Sequence, residues 1–114
     1  PMGLRSRNKG KRGEREADAE IRRLFHIEAR RGRQFCGSND SPDVVTDILG
    51  VHFEVKRRET LRLNDALAQT AQDAGEKIPV VLYRQNRKPW LAIVRLDDLP
   101  LLAVQLYLTL AEND

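Results

Sequence analysis

The residues best suited to chemistry are two carboxylates and a lysine. Glu54 and Lys56 flank Val55 in the stretch Phe53-Glu54-Val55-Lys56, and Asp43 follows Ser41-Pro42 upstream of them. Phe53 to Lys56 alternates apolar and charged residues, the pattern of a β-strand. Strand side chains alternate between faces, so Phe53 and Val55 are expected in a core and Glu54 and Lys56 together on the opposite face. Carboxylate and carbonyl oxygens suit a hard divalent cation, Mg²⁺ with Mn²⁺ as substitute, and Asp43, Glu54 and the Val55 carbonyl are the candidate ligands. A cation held there polarises a phosphate and activates water. An ammonium at Lys56 can orient that water or stabilise the developing charge. The chemistry this points to is phosphodiester hydrolysis.

The elements around these residues must bring Asp43 to Glu54. Gly50 separates two apolar runs, which predicts a hairpin of strands 44–49 and 51–57. A helix is expected over residues 14–25, with Ala17, Ile21, Leu24 and Phe25 as its apolar stripe. Glu14 lies on that stripe and should face the sheet, where it can hold a water or a second ion, whereas Glu16 should face solvent. A short strand is expected at residues 27–31, then a loop over 37–42 set by its turn residues. The periodicity of Leu63, Ala66, Leu67, Thr70, Ala71 and Ala74 predicts a second helix over 61–74, with Gly75 ending it. Two strands, 78–84 and 90–96, are joined by the turn Arg84-Gln85-Asn86-Arg87-Lys88-Pro89. Asp97 or Asp98 can cap a last helix from about Leu99, with Pro100 in its first turn. The order α-β-β-β-α-β-β-α predicts an α/β fold, a central mixed β-sheet flanked by helices.

Length and charge restrict the partners. The chain of 114 residues is expected to be a single domain over residues 13–114, preceded by a flexible basic arm at 1–12. Residues 1–35 hold 11 Lys and Arg against 5 Asp and Glu, and the rest of the chain holds 9 against 12. A basic segment on a nearly neutral body points to a polyanion. Lys9, Lys11 and Arg12 of the arm, Arg15 beside Glu14, and Arg30, Arg31, Gln34, Arg57 and Arg58 are the candidate phosphate contacts. Cys36 is the single cysteine, which excludes an internal disulfide and a cysteine-based zinc site. No run reaches membrane-spanning length and no signal peptide is visible, so a cytoplasmic protein is expected. No P-loop and no Ser-His-Asp arrangement is readable. His52 shares the expected face of Glu54 and Lys56 and borders the site, more as a half-exposed surface residue than as a ligand. Tyr83 and Trp90 are expected to be core residues.

Taken in order, Lys9-Gly10 with Glu14-Arg15-Glu16, Gly37-Ser38 before Pro42-Asp43-Val44, and Phe53-Glu54-Val55-Lys56 resemble the archaeal-type Holliday junction resolvases, a family with phage-borne members in the PD-(D/E)xK nuclease superfamily. The resemblance covers residues 9 to about 96. It implies a restriction-endonuclease-like core and a metal-dependent endonuclease that cuts four-way DNA junctions as a homodimer, in the cytoplasm of a bacterial or archaeal host. The family's helical Glu falls on Glu14, its first metal carboxylate on Asp43, and its strand Glu and Lys on Glu54 and Lys56. Leu63-x-x-Ala66-Leu67-x-Gln69 is similar to a phage-type variant in which a Gln supports the site. Gln69 is nearer the apolar stripe than Gln72, one turn on, which also fits.

Two rivals remain at this level: a PD-(D/E)xK nuclease for flaps or plain duplex, and a DNA-binding module that keeps the fold without activity. The last helix adds an expectation about assembly. Leu99, Leu102, Ala103, Leu106, Tyr107 and Leu110 suffice to cover a sheet, and Leu101, Val104 and Leu108 form a second apolar side that a partner copy could cover.

Overall fold

The computed structural model describes residues 2–27 and 48–113, with side chains described from residue 11 onward. Helix α1 spans Met2–Phe25, strand β1 Val51–Arg57, helix α2 Leu63–Ala74, strand β2 Ile78–Arg84, strand β3 Leu91–Ile93 and helix α3 Leu99–Asn113, with a 3-10 turn at Leu96–Asp98 before α3. The strands form one mixed sheet in the order β1-β2-β3, β1 parallel to β2 and β2 antiparallel to β3. Among the described residues no helix is long and apolar enough to cross a membrane.

β2 is the central strand because its sequence is apolar on both faces. Ile78, Pro79, Val80, Val81 and Leu82 are all buried. A buried aliphatic side chain contributes of order 1.5–3 kcal/mol, so this run anchors the domain. Alternation divides the sheet. Val51 and Phe53 pair in register with Ile78 and Val80, and these residues share one core with Ala17 and Ile21 of α1 and Leu102 of α3. Helix α2 packs on β2 and β1 with Thr70 and Ala74 buried. The Thr70 hydroxyl is satisfied by the Ala66 carbonyl at 2.8 Å.

Two turns match their sequence signals. Gly50 has φ +79°, and Val51 N donates to Ile48 O at 3.0 Å across it, so a tight turn feeds β1. The Gln105 side chain lies 3.6 Å from where a Gly50 Cβ would stand. Gly75, with φ +62°, ends α2 as expected.

Other boundaries differ. Helix α1 begins at Met2 rather than near residue 14. No proline and no β-branched residue precedes Ile21 in it, and extending a formed helix is far cheaper than nucleating one, so Gly3, Gly10 and Gly13 do not stop it. β3 covers three residues rather than residues 90–96. Asp98 N donates to Arg95 O at 2.9 Å and Arg95 Nε to the Asp98 carboxylate at 2.8 Å, which curls the chain into the 3-10 turn. The expected strand over 27–31, the loop over 37–42 and residues 44–47 of the expected hairpin lie outside the described residues, beyond Ile27.

Candidate functional site

β1 positions the central pair. Arg57 lies on the face covered by α1: a Cβ on Gly13 would stand 2.9 Å from Arg57 Cβ. Glu54 and Lys56 therefore project from the other face. Lys56 Nζ lies 3.8 Å from Glu54 Oε2, with 25% and 23% of the two side chains exposed. Each head group is half-sheltered yet reachable, and the pair presents oxygen acceptors and an ammonium side by side. His52 stands on the same face. It is half-buried, and its Nε2 is enclosed with no hydrogen-bond partner among the described residues.

The remaining expected residues distribute as follows. Glu14 is half-buried on α1 and engaged in a polar interaction, and Glu54 is likewise engaged beyond its pairing with Lys56. Gln69 is exposed, and its Nε2 donates to Asp73 Oδ1 at 3.2 Å one turn along α2. Gln72 is exposed as well. Asp43, Arg30, Arg31 and Gln34 lie outside the described residues. Lys9 belongs to α1, and Lys11, Arg12 and Arg15 are exposed on it. Among the described residues no three His, Cys, Asp or Glu side chains gather as a metal-binding group. The oxygens of Glu54, Glu14 and the Val55 carbonyl are of the class a hard cation prefers.

Glu16 corrects the reading of the helix face. It does not point to solvent. Its Oε1 accepts Arg57 Nε at 2.8 Å and Arg84 Nη1 at 3.2 Å. Arg57 and Arg84 are register partners at the ends of β1 and β2, and their long guanidinium arms reach Glu16 on the flank of α1. Arg57 also donates to Asn86 Oδ1 at 2.8 Å, and only 13% of its side chain is exposed. Its guanidinium is thus engaged within the chain, whereas Arg58, the next candidate, is exposed.

A second unforeseen hub is Glu59, just beyond β1. Its carbonyl accepts the Tyr83 hydroxyl at 3.2 Å and Gln85 Nε2 at 2.8 Å, and its carboxylate accepts Asn86 N at 2.7 Å. The loop after β1 and the turn after β2 are thereby tied together at the end of the sheet that carries Lys56. Near the far end of α1, the hydrogen bond from Arg23 holds the Glu20 carboxyl below the usual carboxylate range, and the same bond raises Arg23. On the α1 side of the sheet a groove of about 870 Å³ opens between α1, α3 and the β2–β3 turn, with Leu24, Phe25, Trp90 and Leu106 among its walls.

Comparison with family models, curated proteins and solved structures finds no match.

Proposed function

We infer that the chain is a metal-dependent, structure-selective DNA endonuclease that resolves four-way junctions. The observation that carries this reading is the Glu54–Lys56 pair, 3.8 Å apart and partly sheltered on one face of β1. The ordered motifs from Lys9 to Lys56 support the finer assignment to a restriction-endonuclease-like nuclease of the resolvase type, with Asp43 as the second acidic ligand. The fold is compatible in kind: a mixed sheet with helices, in which β1 is followed by a helical crossover to a parallel neighbour.

Each side chain has a role that follows from its chemistry. Glu54, the Val55 carbonyl and Asp43 would hold Mg²⁺ or Mn²⁺, and Glu14, carried by α1, would hold a metal-bound water or a second ion. When bound, the cation supplies Lewis-acid polarisation of the scissile phosphate and a more acidic water. The Lys56 ammonium donates hydrogen bonds to a non-bridging phosphate oxygen, where negative charge grows as the water oxygen bonds to phosphorus. The phosphorus–O3′ bond breaks, and O3′ takes up a proton from solvent in exchange for the one the attacking water releases, leaving a 5′-phosphate and a 3′-hydroxyl. Arg12, Arg15 and Arg58, all exposed, supply phosphate contacts that fix the duplex arms.

Resolution needs paired cuts on opposite strands, and a two-fold dimer places two sites symmetrically. Leu101, Val104 and Leu108 support such an interface: they are 56%, 51% and 50% exposed on α3. Leu102 of the same helix is buried and Leu106 packs against the core, so the outward apolar side is free for a second copy.

The test is incubation of a synthetic four-way junction, a flap and a linear duplex with Mg²⁺ and with EDTA. Selective, Mg²⁺-dependent cutting of the junction supports the reading. Equal cutting of flap or duplex moves the substrate elsewhere within the nuclease class, and binding without cleavage of any substrate makes the chain a DNA-binding module.

A further inference from the structure

The β2–β3 turn carries a feature that the catalytic reading leaves unused. Lys88 N donates to Gln85 O at 3.2 Å, closing a four-residue turn in which Arg87 holds the third place with φ +64°. Glycine, and asparagine among the L-residues, tolerate that conformation best, and a long side chain there is held against its backbone preference. An asparagine is present, but one place too early, at Asn86. The favourable residue and the cation are therefore in the order that puts the strain on Arg87. Backbone strain of this kind persists where surrounding bonds over-determine the conformation, and it concentrates at functional positions.

Such bonds surround the turn. Glu59 takes Asn86 N and Gln85 Nε2, Arg57 reaches Asn86 Oδ1, and Arg84 Nε donates to Lys88 O at 2.7 Å. Arg57 and Arg84 are in turn held by Glu16. Every cation at the base of the turn is thus committed to a carboxylate. At its tip the opposite holds: the Arg87 and Lys88 side chains are exposed and have no ion-pair partner among the described residues. The turn also lies at the Lys56 end of the sheet. Lys56 is the register partner of Tyr83, and Arg58 N donates to Arg84 O at 3.1 Å. Neighbouring strands are about 4.8 Å apart, so the tip stands beside the strand end that carries Lys56 and Arg58.

We propose that Arg87 and Lys88 form a rigid backbone clamp for nucleic acid, gripping phosphates beside the strand end that carries Lys56 and Arg58. The proposal rests on the nucleic-acid reading above and adds a contact element outside α1. Arg supplies a planar fork and Lys a point charge, both suited to phosphate oxygens. Neither reads bases from such a turn, so the contact serves junction and duplex alike.

The test is fluorescence anisotropy of labelled four-way junction and duplex in EDTA across a NaCl titration, with thermal melts of each protein. Arg87→Gly relieves the backbone and removes the charge, and Lys88→Ala removes its neighbour's. Each should weaken both DNAs roughly five- to tenfold at ~0.1 M salt and lower the log–log salt slope by about 0.9, the counterion contribution of one phosphate. Arg87→Gly should melt at or above the wild-type temperature. Unchanged affinity and slope in both variants, with wild type binding normally, would overturn the clamp while leaving the nuclease reading intact. A wild type that binds neither DNA overturns the clamp and the nuclease reading together. A lower melting temperature for Arg87→Gly overturns the strain argument on which the clamp stands.

Discussion

Replacing Glu16 by Ala probes the tie between α1 and the sheet. The carboxylate receives one charge-assisted bond of 2.8 Å from Arg57 and a longer one of 3.2 Å from Arg84. A hydrogen bond to a charged group is worth about 1.5–3 kcal/mol when sheltered and well under 1 kcal/mol at a fully exposed site. Arg57 is 13% exposed, and Glu16 and Arg84 are 29% and 28% exposed, so the Arg57 bond is near the sheltered limit and the Arg84 bond is discounted by solvent screening. The loss should come to about 2–3 kcal/mol. At roughly 4 °C per kcal/mol for a domain of this size, the melting temperature should fall by about 8–12 °C. Glu16→Gln keeps the shape and one acceptor, so about half the loss is expected. Urea titrations of Glu16→Ala, Arg57→Ala and the double variant give the coupling directly, expected at about 1–2 kcal/mol. A Glu16→Ala protein that melts within about 2 °C of wild type, with no coupling to Arg57, would refute the reasoning and return Glu16 to the solvent-facing role that helix periodicity alone assigns it.

Gly13→Ala sets the helix preference for Ala, about 1 kcal/mol, against overpacking of about 1–3 kcal/mol where the new Cβ meets Arg57 Cβ at 2.9 Å; a net loss near 1 kcal/mol by urea titration is expected, and a gain would show that α1 can shift. Because Arg23 holds the Glu20 carboxyl low, this pair stabilises the fold above the unfolded-state carboxylate range and ceases to do so as pH falls through the lower folded-state value. The wild type should therefore exceed Glu20→Gln in thermal stability near neutrality by a small, salt-sensitive margin that vanishes in acid, and melts across the acid range check it. Leu101→Glu with Leu108→Glu should convert a dimer to a monomer in light scattering with an unchanged circular dichroism spectrum; a wild type that is already monomeric at micromolar concentration would remove the symmetry argument.

What was legible in the sequence is what local pattern encodes. β2 was readable because Ile78-Pro79-Val80-Val81-Leu82 is an unbroken apolar run, and α2 because its stripe ends at Gly75. The shared face of Glu54 and Lys56 followed from alternation alone. The Glu16 hub was not readable, because its partners stand 41 and 68 residues away and act through long side chains that a helical wheel ignores. The length of α1 is not legible because residues 3–13 carry no apolar periodicity, and a formed helix extends through such a segment at little cost. β3 was overestimated because its apolar pattern runs on into Val94, where the Arg95–Asp98 pair turns the chain. Gln69 illustrates a smaller lesson: a Gln and an Asp at i, i+4 can satisfy each other on the helix surface, a spacing visible in the sequence.

The most direct test of the central claim is single-turnover cleavage of an end-labelled four-way junction in Mg²⁺ by wild type, Glu54→Gln and Lys56→Ala, read on a denaturing gel beside an anisotropy measurement of binding. The wild type should make paired cuts that disappear in EDTA. Both variants should cut more slowly by roughly 10²-fold or more, with junction binding retained. Cleavage by either variant at the wild-type rate, or undiminished cutting in EDTA, would contradict the claim.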